Sequence, residues 1–345
     1  MFMIVIRRWS LAALLVLVCL LSAFLQFAFA ADEPKLERFR YEEPHMGTKF
    51  RIIVYAPDQA TADRAAKAAF ERIEELNRIM SDYDPESELM RLCAKAGGDP
   101  VAVSEELFFV LSKAQEVAKL SDGAFDVTVG PVVRLWRLSR RTGKLPDPEK
   151  LAAARELVGY EKVTLDAKNR TVQLTKKGML LDLGGIAKGY AADEAIAVLK
   201  KHSLTRALVA AGGDIAVSGP PPGEEGWKIE IEAADDEEGK ARRTLIMHDV
   251  GVSTSGEKEQ YVEIDGKRYS HIVDPKTGLG LIGRMSVTVV APNGIASDSM
   301  TKVVMILGPE KGLAIVEKSD GMSSLMVRKA EKGYEVFSSK RFPKE

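Results

Sequence analysis

The sequence predicts an α+β fold with mixed, largely antiparallel sheets packed against helices, and three observations carry that prediction. Helical hydrophobic spacing occurs in a few separated segments, while the stretch from Arg206 to about Val290 is strand-rich and broken by turns. Strands and helices do not alternate regularly, which argues against a repeating βαβ parallel sheet. No internal repeat, low-complexity tract or linker interrupts residues 40–342, so this stretch reads as one unit.

Taken in order, Lys49 to Tyr55 (KFRIIVY) alternates and predicts a strand. Thr61 to Met80 predicts a helix, because Ala65, Ala69, Ile73, Leu76 and Met80 fall at helical spacing and Thr61-Ala-Asp63 supplies N-terminal signals. Ser104 to Lys119 predicts a second helix, with Ser104 as its cap and Glu105 and Glu106 in the first turn, where the helix dipole favours acids. Pro146 to Leu157 predicts a short third. A hairpin is predicted from Val163 to Leu174, turning at Asp166-Ala-Lys-Asn169. Met179 to Leu183 predicts a buried strand running into Gly184-Gly185, followed by a helix from Ile186 to Lys200. Turns then fall at Gly219 to Gly223, Asp265-Gly266 and Pro275 to Gly278, and Asp265-Gly266 is a two-residue hairpin turn. Helices from Ile295 to Leu307 and from Pro309 to Lys318 precede two final strands.

The first thirty residues read as a separate object. Arg7 and Arg8 form a basic start, Leu11 to Leu25 is almost wholly apolar, and Ala28-Phe29-Ala30 places small residues before Ala31. This is the pattern of a cleaved signal peptide over residues 1–30, leaving residues 31–345 as the mature domain. An uncleaved membrane anchor is the alternative, since the apolar run is long. Cys19 follows Val18 inside that run, which argues against lipidation. Cleavage would leave Cys93 as the only cysteine, so no internal disulfide is possible, and Cys93 reads as a small buried hydrophobe.

Composition excludes several classes. The 345 residues are 46% apolar and 29% charged, ordinary for a globular protein and unlike a disordered or collagen-like chain. The 49 basic and 50 acidic residues give a net charge of −1, so no basic excess is available to hold a nucleic-acid backbone. The acidic run Asp235-Asp236-Glu237-Glu238 reads as a solvated hairpin tip.

Five stretches put Gly, Asp, Thr or His where backbone could approach a ligand. In Leu181-Asp-Leu-Gly-Gly-Ile-Ala-Lys-Gly-Tyr190 a strand ends in two glycines and a helix begins, so its free N–H groups could receive a phosphate and Lys188 could add charge. P-loop spacing is absent, and a plain tight turn with an exposed Lys188 is the other reading. Ala210-Ala-Gly-Gly-Asp214 offers close backbone approach beside a carboxylate. Val252-Ser-Thr-Ser-Gly256 is followed by Tyr269-Ser-His-Ile-Val-Asp-Pro275, where His271 stands three residues before Asp274. A histidine at a strand end is a candidate general base or a structural partner of the turn. Ser121-Asp-Gly-Ala-Phe-Asp126 puts an aromatic and a carboxylate on a loop, with Trp136 beyond it reading as core. Ala296-Ser-Asp-Ser-Met-Thr-Lys302 opens a helix with oxygens that could bind a hard cation or act as caps.

In this order the stretches resemble the FAD:protein FMN transferases, the ApbE family. The resemblance begins at His45-Met-Gly-Thr48 and Met80-Ser-Asp-Tyr-Asp84 with Ser87. It continues through GAFDVTVGP, LDLGGIAKGYAAD, AGGDIAVSG, STSG and SHIVDPKTG to ASDSMTKVVMILG. It covers nearly the whole mature chain and implies an ApbE-like fold. It also implies an exported enzyme that binds FAD with Mg²⁺ at the pyrophosphate, transfers FMN to a Thr or Ser hydroxyl of a partner protein and releases AMP. By resemblance, Met46, Tyr83, Ala124, Phe125, Asp126, Asp182, Lys188, Asp214 and Ile272 would contact FAD. Gly185 and Asp298 would hold the metal, and His271, with Asp274 in the same His-x-x-Asp-Pro motif, would be the catalytic pair.

One departure stands out. The family usually has a metal-ligating Thr four residues after the Asp, and here that position is Lys302, with Thr301 one residue earlier. A charged lysine has three donors and no lone pair for a metal. Either Lys302 points away and Thr301 or water completes the metal shell, or its ammonium replaces the ion, or transfer has been lost. The chain carries no convincing copy of the acceptor motif, so the acceptor is expected in trans, as a flavin-carrying electron-transfer subunit at the membrane. An FAD pyrophosphatase and a non-catalytic exported flavin-binding protein are the alternatives.

Overall fold

A computed structural model describes residues 35–232, 242–256 and 261–344. The leader, Cys19 and the acidic run at 235–238 lie outside the described residues.

Two strands, β1 (Glu37–His45) and β2 (Thr48–Ala56), open the chain as a hairpin. Its turn is Met46-Gly47, both at positive φ (49° and 71°), a conformation that matches the twist of paired strands. β1 was not expected, because its sequence is mostly charged and its side chains mostly exposed. Helices α1 (Gln59–Met80), α2 (Glu88–Ala94) and α3 (Glu105–Leu120) follow, with the two-residue strand β3 (Val101–Ala102) between the last two. Asp58, not the Thr61 segment, caps α1: its carboxylate accepts the Thr61 N–H at 2.7 Å. Ser104 caps α3 as expected, accepting the Leu107 N–H.

Next come α4 (Gly130–Thr142), α5 (Pro148–Arg155), the hairpin β4 (Val163–Asp166) and β5 (Thr171–Leu174), and α6 (Ala187–Lys201). The buried strand expected at Met179 to Leu183 does not form. This segment is buried at Met179, Leu181 and Leu183, but it has no strand partner. The Asp182 N–H donates to the Val127 carbonyl at 2.8 Å and the Leu181 N–H to Cys93 Sγ at 3.3 Å. The start of α4 packs directly on Leu180, so closely that a Cβ on Gly130 would lie 2.6 Å from its carbonyl oxygen.

The C-terminal half supplies β6 (Ala207–Ala211), β7 (Asp214–Val217), β8 (Trp227–Glu232), β9 (Arg242–Met247), β10 (Val250–Gly256), β11 (Tyr261–Ile264), β12 (Lys267–Val273), β13 (Gly280–Ile282) and β14 (Met285–Ala291). Then come α7 (Gly294–Lys318), β15 (Ser323–Lys329) and β16 (Tyr334–Ser338). Asp265 and Gly266 form the expected tight turn between β11 and β12, both at positive φ. The two expected C-terminal helices are one element broken at Gly308, whose φ of 75° and ψ of −178° leave the helical region just before Pro309.

Eight strands form one antiparallel sheet in the order β1-β2-β6-β7-β10-β14-β15-β16. The period of two along each strand divides its side chains between the faces. Phe50, Ile52, Val54, Val209, Val287 and Val289 pack under α1, α6 and α7, in the main core. Ile53, Leu208 and Val217 face the other way and are covered by Trp227, Ile229, Ile231 and Leu245 of the β8–β9 hairpin. A third cluster joins α4 and α5 to the β11-β12-β13 sheet through Val132, Trp136, Ala154, Tyr269 and Val273. The expected α+β class is therefore observed.

Candidate active site

The strand ends and loops singled out in the sequence converge on one cavity of about 900 Å³, in the size range of small-molecule sites. The β1–β2 turn brings Met46, and the loop after α3 brings Ala124, Phe125 and Asp126. Asp182, Gly185 and Lys188 come from the segment entering α6. The β6–β7 turn adds Asp214, β12 adds His271 and Ile272, and α7 adds Lys302. Tyr83 stands 77% exposed at the rim.

Burial and charge differentiate the carboxylates. Asp126 is buried, and its Oδ1 accepts the N–H and hydroxyl of Thr128 at 2.8 and 2.6 Å. Burial raises its pKa, with these hydrogen bonds opposing. Asp182 is raised by burial and then by the charge of Asp82, against the pull of Arg137. Its Oδ1 accepts the Gly184 N–H at 2.8 Å, and its Oδ2 accepts from Arg137 at 2.9 Å. Arg137 also donates to Asp82 at 2.6 Å, and its guanidinium lies 4.3 Å from the Tyr83 ring centroid.

Two lysines face the cavity with buried carboxylates behind them. Lys188 pairs with Asp214. Burial works against its charge, but Asp214 and then Asp298 outweigh burial and hold the ammonium above the ordinary lysine range. Lys302 donates to the Asp298 carboxylate and, at 3.1 Å, to the Asp298 carbonyl. Asp298 is fully buried, yet Lys302 and Lys188 pull its pKa below the ordinary value against the effect of burial. Its other oxygen accepts the Gly189 N–H at 3.0 Å.

Three expected site residues do not line the cavity. Asp298 sits behind Lys302. The Thr301 hydroxyl donates to the Asp298 carbonyl at 2.7 Å and lies 2.8 Å from Ser255 Oγ, facing β10. The Asp274 carboxylate accepts the Lys276 N–H at 2.8 Å and so shapes the Pro275–Gly278 turn. The helix start expected to offer free N–H groups has committed several of them. Gly184 donates to Asp182, Ile186 and Ala187 to the Leu183 carbonyl, and Gly189 to Asp298. Charge at this end of the cavity is therefore presented by Lys188 and Lys302.

Arg137 and Arg140, also on the cavity wall, were not anticipated. With Val133 they stand at positions i, i+4 and i+7 of α4, which was itself not expected; that spacing was the available signal. Trp136 is core, as expected, and its indole N–H donates to the Ser270 carbonyl at 2.9 Å. That bond fixes α4 against the strand that carries His271.

With this geometry in hand, comparison with known proteins is decisive: the ApbE family profile matches residues 46–326. The chain belongs to the ApbE family. It is 31% identical over 342 residues to the FAD:protein FMN transferase of Vibrio cholerae, covering 97% of this chain and 98% of that protein. The FAD:protein FMN transferase of Treponema pallidum is 32% identical over 327 residues, covering 90% of each. The solved flavin transferase ApbE from Vibrio cholerae superposes with a TM-score of 0.80 at 31% identity, covering 89% of this chain and 99% of that one. The apo flavinyl transferase ApbE of Pseudomonas stutzeri also gives a TM-score of 0.80, at 28% identity, covering 90% of this chain and 96% of that one.

The divalent ion implied by the resemblance does not fit the residues present. Of the groups the resemblance assigns to the ion, the hydroxyl at position 302 is replaced by an ammonium, and that ammonium is paired with Asp298. Both Asp298 oxygens are already engaged, and the Thr301 hydroxyl is turned to β10. An ammonium and a dication about 4 Å apart would repel by roughly 8 kcal/mol at an effective dielectric of about 20.

Proposed function

We propose that this chain is an exported flavin transferase that cleaves the pyrophosphate of FAD and attaches FMN to a Thr or Ser hydroxyl of a partner protein. The observation that carries the reading is the cavity itself. It gathers the family's ordered motifs, sets two ammonium groups on one wall, and offers aromatic and aliphatic surface at Phe125, Tyr83 and Ile272. The relatives' name, FAD:protein FMN transferase, supports the same substrate and acceptor class.

The chemistry follows from charge and position. The FAD pyrophosphate carries two negative charges, and Lys188 and Lys302 line the cavity where their remaining N–H donors can meet it. The acceptor hydroxyl oxygen bonds to the flavin-side phosphorus, the bond from that phosphorus to the bridging oxygen breaks, and AMP departs with the bridging oxygen. The hydroxyl proton needs an acceptor, and His271, half-buried in the cavity wall, is our candidate base. Asp274 supports it indirectly by shaping the adjoining turn. Catalysis of this kind rests on positioning and electrostatic stabilisation. We place the reaction outside the cytoplasmic membrane, with a membrane electron-transfer subunit as acceptor.

The test is to incubate the mature protein with FAD, with and without a flavin-accepting protein, and to measure AMP, free FMN and protein-bound flavin. AMP release with flavin attached to the acceptor is expected. His271→Gln should slow it by roughly 100-fold or more, the usual contribution of a general base. AMP with free FMN and no attachment would show a pyrophosphatase instead. FAD binding without AMP release, even with the acceptor, would overturn the catalytic reading.

A further inference from the structure

We propose that Lys302 is the resident cation of this site: its ammonium stands in place of a divalent ion, so the protein binds and cleaves FAD without one. The inference rests on the transferase reading and adds to it the source of positive charge at the pyrophosphate.

Lys302 lies four residues after Asp298 on α7, so its side chain returns along one face to the carboxylate. Its stem passes Gly185, the residue expected to offer a carbonyl to a metal, at 3.5 Å from where a Cβ would stand. The lysine side chain thus lies against both residues the family resemblance assigns to the ion, and its ammonium reaches one of them, Asp298. It uses one donor on the Asp298 carboxylate and another on the Asp298 carbonyl. An ammonium has three donors, which leaves one for a ligand. Its side chain is 14% exposed and lines the cavity.

The surroundings favour the ammonium over a metal. Asp298 spends its second oxygen on the Gly189 N–H, and Thr301 spends its hydroxyl on β10. The direct contact of Lys188 is to Asp214, so Lys302 is the ammonium in contact with Asp298. Lys302 therefore answers the buried charge of Asp298 and faces the substrate with the same group. A fixed ammonium needs no loading from solution and supplies preorganised electrostatic stabilisation.

The experiment compares the mature wild type with Lys302→Thr, which restores the family's hydroxyl, and Lys302→Arg, which keeps the charge. Mn²⁺ is the probe, counted by electron paramagnetic resonance with FAD present, while AMP release is followed with acceptor in EDTA and in Mg²⁺. Thermal unfolding and FAD fluorescence confirm that each variant is folded and binds flavin. The wild type should take up no stoichiometric Mn²⁺ and release AMP at the same rate in EDTA and Mg²⁺. Lys302→Thr should bind one Mn²⁺ and lose AMP release in EDTA by roughly 100-fold, about the cost of removing one stabilising donor. Lys302→Arg should resist EDTA like the wild type. One tightly bound Mn²⁺ on the wild type, or EDTA inactivation reversed by Mg²⁺, would overturn the proposal. So would a folded, flavin-binding Lys302→Thr that takes up no Mn²⁺. If no protein releases AMP, the transferase reading falls, while the Mn²⁺ counts still decide whether Lys302 is the cation.

Discussion

At the residue scale, small numbers of buried charges organise the site, and Asp193 shows how far such an effect reaches. It stands on α6 and accepts the N–H groups of Gly294 and Ile295 at 2.7 and 2.9 Å, which anchors the start of α7 and hence the helix carrying Asp298. Burial raises its pKa to about 6, with the two hydrogen bonds opposing. Well below pH 4 it is protonated whether the chain is folded or not. Between 4 and 6 the folded state binds the proton more tightly than the unfolded chain, so stability from this group is lost as pH rises. A shift of about two units corresponds to up to about 3 kcal/mol. Asp193→Asn cannot titrate. Urea denaturation should therefore show the wild type losing up to about 3 kcal/mol relative to the variant between pH 4 and 6. A pH-independent difference would refute this account.

At the element scale, the decisive contact is the crossing of α6 and α7. Gly189 and Gly294 let the two helix backbones meet. A Cβ on Gly189 would overlap the Gly294 carbonyl and lie 2.7 Å from Asp298 Cβ. Exchanging Gly for Ala inside a helix ordinarily gains about 0.5–1 kcal/mol. Here Gly189→Ala should instead destabilise by about 1–3 kcal/mol, the usual cost of overpacking, and weaken FAD binding because Gly189 also donates to Asp298. Thermal melts and flavin titration check both. Unchanged values would show that the helices separate freely. The same scale explains the elements that sequence reading missed. β1 is charged and exposed on an edge, α2 has only 7 residues, and the apolar segment at 179–183 reads as a strand in isolation. No local pattern announces that its neighbour is the start of α4 and not another strand.

At the scale of the whole molecule, the eight-stranded sheet buries one face under helices and the other under the β8–β9 hairpin, and the strand ends and turns between them furnish the cavity. Our proposal of export belongs here, since it concerns the chain as a unit. Expressed with its leader in a Gram-negative host, the protein should be recovered from the periplasm with Ala31 at its N-terminus. N-terminal sequencing checks this, and a periplasmic fraction empty of the protein, with Met1 intact in the cytoplasm, would refute it.

The family motifs made most of the cavity wall legible, because each places Gly, Asp or His at a strand end or loop, where local backbone chemistry leaves a recognisable signature. Ser104 and Asp265-Gly266 were legible for the same reason: a cap and a tight turn are decided within a few residues. Arg137 was obscured because its role depends on Asp82, Asp182 and Tyr83, which meet it only after folding. The α+β class, the order of the motifs and the presence of a lysine where a metal-ligating hydroxyl was expected follow from the residues alone. The residues leave open whether that lysine turns away, replaces the ion or marks a lost activity. Where its ammonium stands is set by the folded packing. The packing of α7 against α6 and β10 buries Asp298, turns Thr301 aside and leaves Lys302 as the partner of that charge. A buried carboxylate must be neutralised by whatever group the surrounding helices bring within reach, and that is set by packing between distant segments.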